Sequence, residues 1–155
     1  MKKIVVFTDG SCMKKKDGIK CGYGVYFPNG EFDNISKKFT DNPTNQRAEL
    51  YAILKALKTI KKNLQDIIYN IIIYTDSKYS IQSLTQWIIE WKKNNWKTSS
   101  GKDVMNQDII KKIDKITEKY GGKIDYIHVF SHTKKKDFYS VSNDIADKLA
   151  KAGCN

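Results

Sequence analysis

The chain is 155 residues long, the size of one domain, and its 28 basic and 17 acidic residues give a net charge of +11. This charge favours a polyanionic partner, with nucleic acid ahead of an anionic membrane surface. No stretch is long enough to cross a bilayer, and Asp9 ends the apolar N-terminal run too early for a signal peptide. Arg47 is the only arginine, and lysines, which act as point charges, favour phosphate contact over base reading.

Cysteine usage favours a reducing compartment. Cys12, Cys21 and Cys154 form an odd set with neither the spacing of a zinc site nor the density of a disulfide scaffold. We therefore expect a cytoplasmic protein, and its length predicts a single domain over residues 1–155.

The first part of the chain predicts an antiparallel meander followed by a helix. Strands are predicted at residues 4–8, 22–27 and 31–39. The first strand is an apolar, β-branched run that stops at Asp9, and a Pro-Asn-Gly turn separates the second from the third. From Thr44 the apolar residues repeat with a helical period, and Glu49 lies beside that stripe in the early turns.

The second part alternates strands and helices. We predict a strand at 71–75, a short helix through Leu84, a helix over 103–119, a strand at 123–130, a loop at 131–142 and a helix over 143–152. Three tryptophans interleaved with lysines lie between the first two of these helices.

Two of the predicted strands share one local sequence, an apolar run followed by an aromatic residue, threonine and aspartate. A helix separates them, so a right-handed crossover would make them parallel and bring Asp9 and Asp76 to the same sheet edge. Each aspartate alone could be a turn or helix cap. Together they predict a site for a hard divalent cation such as Mg²⁺, which prefers carboxylate oxygens.

Four motifs, in order and over nearly the whole chain, resemble those of type 1 ribonuclease H. They are Thr8-Asp9-Gly10-Ser11, Thr44-Asn45-Gln46-Arg47-Ala48-Glu49-Leu50, Thr75-Asp76-Ser77 and the segment 143–150. Residues 87–106, rich in Trp and Lys, resemble the basic handle of that family. The resemblance implies an α/β, ribonuclease H-like fold, a five-stranded mixed sheet of order 3-2-1-4-5 flanked by helices.

The resemblance also implies a catalytic site. Its acidic, metal-binding tetrad falls on Asp9, Glu49, Asp76 and Asp147, with Asp144 the competing choice for the last position. His132 falls on the family's loop histidine and would assist proton movement or product release. The implied cofactor is a pair of Mg²⁺ ions, with Mn²⁺ as an alternative. His128, inside the last predicted strand, is left out.

The implied substrate is an RNA/DNA hybrid, whose RNA strand a monomeric endonuclease would cleave to 5′-phosphate and 3′-hydroxyl ends. The resemblance places the substrate contacts on Cys12, Thr44, Asn45, Gln46, Tyr79, Trp87, Trp91, Lys92, Lys93, Thr98, Asn106 and Asn143. Trp87 and Trp91 could instead be one packed helical face. Two alternatives remain open: a DNA-cutting polynucleotidyl transferase of the same fold, and an inactive nucleic-acid binding module.

Overall fold

The computed structural model describes residues 2–64 and 67–155. Its strands are β1 (Lys3–Lys15), β2 (Gly18–Tyr26), β3 (Ile35–Phe39), β4 (Asn70–Thr75) and β5 (Ile124–His128). Its α-helices are α1 (Asn45–Leu64), α2 (Lys78–Gln82), α3 (Ile88–Lys93), α4 (Gln107–Lys119) and α5 (Phe138–Gly153). The strands form one sheet of order β3-β2-β1-β4-β5, which confirms the predicted order.

The sheet is mixed, as predicted. β1 and β2 are antiparallel, and so are β2 and β3, whereas β4 runs parallel to both β1 and β5. The parallel pairing of β1 with β4 ends at Phe7 and Tyr74, two residues before the aspartate that follows each of them. Asp9 and Asp76 therefore lie at the same edge, where β1 has lost β4 as a neighbour.

Helices cover both faces of the sheet. On one face α1 packs with α4, and their buried residues include Leu50, Ile53 and Ile110. On the other face α5 crosses β1, β2 and β3, and Ala146 packs with Phe7 and Tyr74. These two layers bury the long apolar runs that predicted central strands.

Glycines in β2 allow α5 to lie very close to the sheet. A Cβ atom on Gly24 would lie 2.5 Å from the carbonyl oxygen of Ala146, and one on Gly22 would lie 2.5 Å from that of Ala150. Glycine therefore fits these two positions because helix backbone occupies the space of a side chain.

The structure corrects several predicted boundaries in the first half of the chain. β1 does not stop at Asp9 but continues to Lys15, where a two-residue turn leads into β2 at Gly18. The polar composition of this hairpin hid its strand pairing. β3 starts at Ile35 rather than residue 31, because Asn34 accepts a hydrogen bond from the Phe27 amide (3.0 Å) and closes a loop.

Two helices also begin elsewhere than predicted. α4 starts at Gln107, after Asn106 in a left-handed conformation and an isolated β-bridge between Lys97 and Asp103. α5 starts at Phe138, five residues before the predicted start, because Asp137 caps it by accepting a hydrogen bond from the Ser140 amide (2.8 Å). The loop that carries His132 is correspondingly shorter than predicted.

One continuous helical path runs from Lys78 to Lys93 and contains an irregularity. α2 leads into a π-helical turn, Ser83–Trp87, which leads into α3 without a break in helical backbone angles. A π-turn is a single-residue insertion into a helix and is frequent at functional sites. Both Trp87 and Trp91 lie on this path, at and beyond the insertion.

Cys12 and Cys21 face each other across β1 and β2 and are joined by a disulfide, whereas Cys154 is buried with a free thiol. This bond was not predicted, because the linear spacing of cysteines does not reveal which strand residues lie opposite each other. Among residues 2–64 and 67–155, no helix combines the length and apolarity needed to cross a membrane.

Candidate active site

Three carboxylates converge at the sheet edge. Asp9 comes from β1, Glu49 from the second turn of α1, and Asp76 directly follows β4. One oxygen from each lies within 4.8 Å of the other two. Three elements far apart in sequence thus supply hard oxygen ligands to one point, the arrangement that a divalent cation requires.

Glu49 is held from two sides. The Gly10 amide donates a hydrogen bond to Glu49 Oε1 at 2.6 Å, and the Thr75 hydroxyl donates to Oε2 at 3.5 Å. A Cβ on Gly10 would collide with the backbone amide of Glu49, so a glycine after Asp9 lets α1 approach β1 this closely. Gly10 after Asp9 and Thr75 before Asp76 thus both hold the Glu49 carboxylate between the two strands.

Crowding and burial raise the pKa of all three carboxyls. Burial is the largest cause for each, and the Glu49 carboxylate beside Asp9 raises the Asp9 pKa further. Hydrogen bonds from the Gly10 amide to Glu49 and from Asn143 to Asp76 act in the opposite direction. Without a cation the cluster therefore retains protons that isolated carboxyls would lose.

Asp76 has two neighbours on other elements. The Asn143 side chain of α5 is buried and its Nδ2 donates to Asp76 Oδ2 at 3.5 Å. His128, which ends β5 and pairs in register with Thr75, lowers the Asp76 pKa through its charge. Asn143, predicted as a substrate contact, thus donates to the carboxylate of Asp76. His128, which was left out of the predicted site, also lies near Asp76.

Asp147 adjoins the three-carboxylate cluster. It acts with burial and Glu49 to raise the Asp9 pKa, and it also raises the pKa of Asp76. Its own Oδ2 is 3.0 Å from the Lys151 ammonium, one turn further along α5. The i, i+4 spacing of these two residues could have indicated the pair from the sequence.

His132 and Asp144 line a shared cavity with Asp147. This cavity has a volume of about 320 Å³ and is also lined by lysines 134, 148 and 151. His132 is exposed and has a positive φ of 53° in the loop before α5. The predicted loop histidine therefore lies next to the fourth carboxylate.

On the predicted RNA side, Asn45 and Gln46 are exposed in the first turn of α1. Thr44 caps this helix, since its Oγ1 accepts a hydrogen bond from the Arg47 amide at 3.1 Å. The amides of Asn45 and Gln46 are thus exposed one turn before Glu49. Cys12 is half-buried in its disulfide on the neighbouring strand.

On the predicted DNA side, aromatic residues form a continuous row. The ring centroids of Tyr79 and Trp87 are 6.1 Å apart, and those of Trp87 and Trp91 are 6.0 Å apart. Trp87 and Trp91 also line a groove of about 640 Å³ with Lys93 and Thr98. Asn106 joins the row by donating to the Tyr79 hydroxyl at 2.8 Å.

The two predicted handle lysines differ in environment. Lys92 contacts Asp114 at 2.7 Å and Glu118 at 2.8 Å, both on α4. The Lys93 side chain is 71% exposed and lies 3.9 Å from Glu90. Lys92 therefore fastens α3 to α4, and Lys93 remains accessible to a polyanion.

Comparison with known proteins places this site in a family. The family model described as RNase H matches residues 1–155. The chain belongs to the RNase H family. It is 36% identical to ribonuclease H of Actinobacillus pleuropneumoniae serotype 5b over 100% of this chain and 92% of that protein. It is also 36% identical to ribonuclease H1 of Rattus norvegicus, over 97% of this chain and 50% of that protein. The chain thus spans about half the length of the mammalian relatives it matches.

Solved RNase H structures share the fold. The PFV RNase H domain superposes with a TM-score of 0.79 and 26% identity, covering 97% of this chain and 93% of that one. LC11-RNase H1, crystallised with an RNA/DNA hybrid, superposes with a TM-score of 0.65 and 16% identity, covering 97% and 96%. Family membership confirms the resemblance on which the predicted tetrad was based, and the residue roles remain predictions.

Proposed function

We propose that the protein is an endoribonuclease that hydrolyses the RNA strand of RNA/DNA hybrids and leaves 5′-phosphate and 3′-hydroxyl ends. The observation that carries this proposal is the convergence of Asp9, Glu49 and Asp76 within 4.8 Å, in a chain of the RNase H family. The name of the bacterial relative and the hybrid bound to LC11-RNase H1 support the choice of substrate.

The residues at the sheet edge fit Mg²⁺. All three donors are carboxylates, and their pKa values are raised by burial first and by one another's proximity second, so a cation bound among them would stabilise the ionised forms. Two bound Mg²⁺ ions, or Mn²⁺ in their place, would supply activation of a water and stabilisation of the departing oxygen. Asp9, Glu49, Asp76 and Asp147 would hold these ions.

Other residues of the chain orient substrate and move protons. His132 is exposed beside Asp147 and would exchange a proton with the departing group. Asn45 and Gln46 present amides that can both donate to and accept from a 2′-hydroxyl, the group that distinguishes RNA from DNA. The aromatic row and Lys93 would contact the DNA strand through stacking and charge.

A single assay tests the proposal. Labelled RNA/DNA hybrid, duplex DNA, duplex RNA and both single strands are incubated separately with the protein and Mg²⁺, and product ends are mapped. We expect cleavage of the RNA strand of the hybrid alone. Cleavage of duplex DNA would instead support a DNA-cutting transferase of this fold, and hybrid binding without cleavage would support an inactive binding module.

A further inference from the structure

The side chain of Arg47 is saturated by protein contacts. Nη1 and Nη2 each donate to one oxygen of Asp108 at 2.9 Å, and Nε donates to the Asp41 carbonyl at 3.0 Å. Nη2 also donates to the Asp41 carboxylate at 3.3 Å, and Nη1 to Asn106 Oδ1 at 3.5 Å. These five hydrogen bonds use all five N–H donors of the guanidinium.

This geometry requires arginine. Two parallel N–H groups meet both oxygens of Asp108 while three others point to different acceptors, which a lysine ammonium cannot reproduce. The Arg47 hydrogen bonds hold the pKa of Asp108 at about 2, well below its usual value. The Arg47 side chain is only 9% exposed, so it does not itself face a ligand.

The residues around Arg47 belong to three separate segments. Asp41 lies between β3 and α1, Arg47 and the Thr44 cap begin α1, and Asn106 and Asp108 begin α4. Asn106 has a left-handed backbone (φ 63°); its side-chain oxygen accepts from Arg47, and its side-chain NH₂ donates to the Tyr79 hydroxyl. Arg47 thus sets the distance between Thr44 and Asn106, two residues proposed to contact substrate.

We propose that Arg47 is a positioning residue that holds Thr44 and Asn106 as one uncharged clamp for the hybrid. The inference rests on the proposed function and deepens it. It gives a role to the lone arginine in a chain of lysines, since the position needs a planar fork rather than a charge. Asp41 and Asp108 neutralise Arg47, so the clamp acts through the hydroxyl and amide groups it orients.

The test variant is Arg47→Lys, which preserves the charge and removes the fork. We expect KM for the hybrid to rise about tenfold, the cost of one hydrogen bond to a charged group, while kcat falls less than about twofold. The salt dependence of hybrid affinity should keep its slope, because uncharged contacts release no counterions of their own. A fall in kcat with unchanged KM would show that Arg47 acts through Glu49 and would overturn the proposal.

A double-mutant cycle with Asn106→Ala tests the route of the effect. If Arg47 acts through Asn106, then Arg47→Lys should change KM much less in the Asn106→Ala background than in the wild type. Additive effects would overturn the proposal. Ile113→Val, a buried change elsewhere in α4, is the control for lost stability and should leave KM within about twofold.

Folding and function are checked separately. Thermal unfolding is recorded for each variant, and Asp108→Asn replaces Arg47→Lys if the latter fails to unfold cooperatively, with the same expected rise in KM. If the wild type does not cleave hybrid, the proposed function fails, and equilibrium hybrid binding in EDTA then tests the clamp. Wild-type and Arg47→Lys proteins binding equally in EDTA would overturn the positioning role.

Discussion

At the scale of single residues, the site crowds four acidic groups together, and burial and repulsion favour the protonated forms of three of them. Asp9 and Glu49 are buried against each other, and Asp76 and Asp147 add further charge at the same edge. Arg47 is committed to Asp41 and Asp108, and Lys151 contacts only the outermost of the four carboxylates. A bound cation would relieve this repulsion, so metal affinity, proton binding and stability are linked.

The first prediction concerns pH. The raised pKa values mean that the metal-free folded protein binds protons more tightly than the unfolded chain. Its stability should therefore be greatest below about pH 4 to 5 as far as these groups contribute, and fall as pH rises through the raised pKa values. Mg²⁺ must displace these protons, so its affinity should be higher at pH 8 than at pH 6. Calorimetric titration in buffers of different ionisation enthalpy would measure the released protons, and pH-independent affinity would contradict the prediction.

The second prediction concerns Asp76→Asn. The amide keeps the shape and removes one charge, so cleavage should fall at least about a hundredfold while the metal-free protein becomes more stable at pH 8. Cleavage rates and denaturant unfolding in EDTA measure the two effects. Asp125→Asn, a change at a half-buried residue on β5, is the control and should alter neither. Cleavage equal to that of the parent protein would remove Asp76 from the metal site.

Residues at the site differed in how far they could be predicted. Asp9 and Asp76 follow from a repeated local sequence combined with strand topology, so their convergence required no structure. Arg47 and Asn143 could not be placed in this way, because their roles depend on partners about 60 residues or more away along the chain. Hydrogen bonds between side chains on different elements leave no periodic pattern in the sequence.

At the scale of elements, the close contact between α5 and β2 controls where Asp147 lies. The helix backbone fills the positions that side chains of Gly22 and Gly24 would occupy. This contact explains why α5 could be predicted as a packed helix from its apolar repeat. Its start was mispredicted because Ser140 and Ser142 are typical of a loop, whereas Asp137 caps this segment as the first turn of the helix.

The third prediction tests this contact with Gly24→Ala. The added Cβ would meet Ala146 and Ala150 of α5 and push the helix outward, so we expect a loss of about 1–3 kcal/mol in unfolding free energy. Metal affinity should also fall, because Asp147 moves with α5. Gly121→Ala is the matched control, since its Cβ would meet only the flexible end of Ile68 at 3.1 Å. Equal losses of stability and metal affinity in the two variants would show that the contact between α5 and β2 does not determine where Asp147 lies.

At the scale of the whole molecule, the net charge is +11, but the lysines that supply it are not equally free to contact a polyanion. Lys92 is bound between two acids of α4, Lys151 by Asp147, and Lys93 projects into solvent. Composition alone favoured a polyanionic partner, but it could not show which lysines were already paired with acids. A lysine held in two close ion pairs, as Lys92 is, should release fewer counterions from a nucleic acid than an exposed lysine such as Lys93.

The fourth prediction separates these lysines. Lys93→Ala should weaken hybrid binding and reduce the slope of log affinity against log salt by about one, with little change in stability. Lys92→Ala should leave that slope nearly unchanged and cost about 0.5–1 kcal/mol in stability, because its charge holds α3 against α4. Fluorescence anisotropy over a salt series and thermal unfolding distinguish the two. If Lys92→Ala reduced the salt slope and Lys93→Ala lowered the stability, the result would contradict the structural role of the Lys92 salt bridges.

The direction in which the basic handle, residues 87–106, projects depends on the number of residues in the π-helical turn at Ser83–Trp87. Each residue turns a helix by about 100°, so removing the inserted residue would rotate Trp91, Lys92 and all that follows around the axis. Lys92 would then leave its two acids, and the aromatic row would lose its continuation beyond Trp87. A one-residue deletion, with every side chain that contacts substrate still present, would redirect the whole segment. The number of residues in this turn, as much as their identity, therefore sets the direction in which the segment projects.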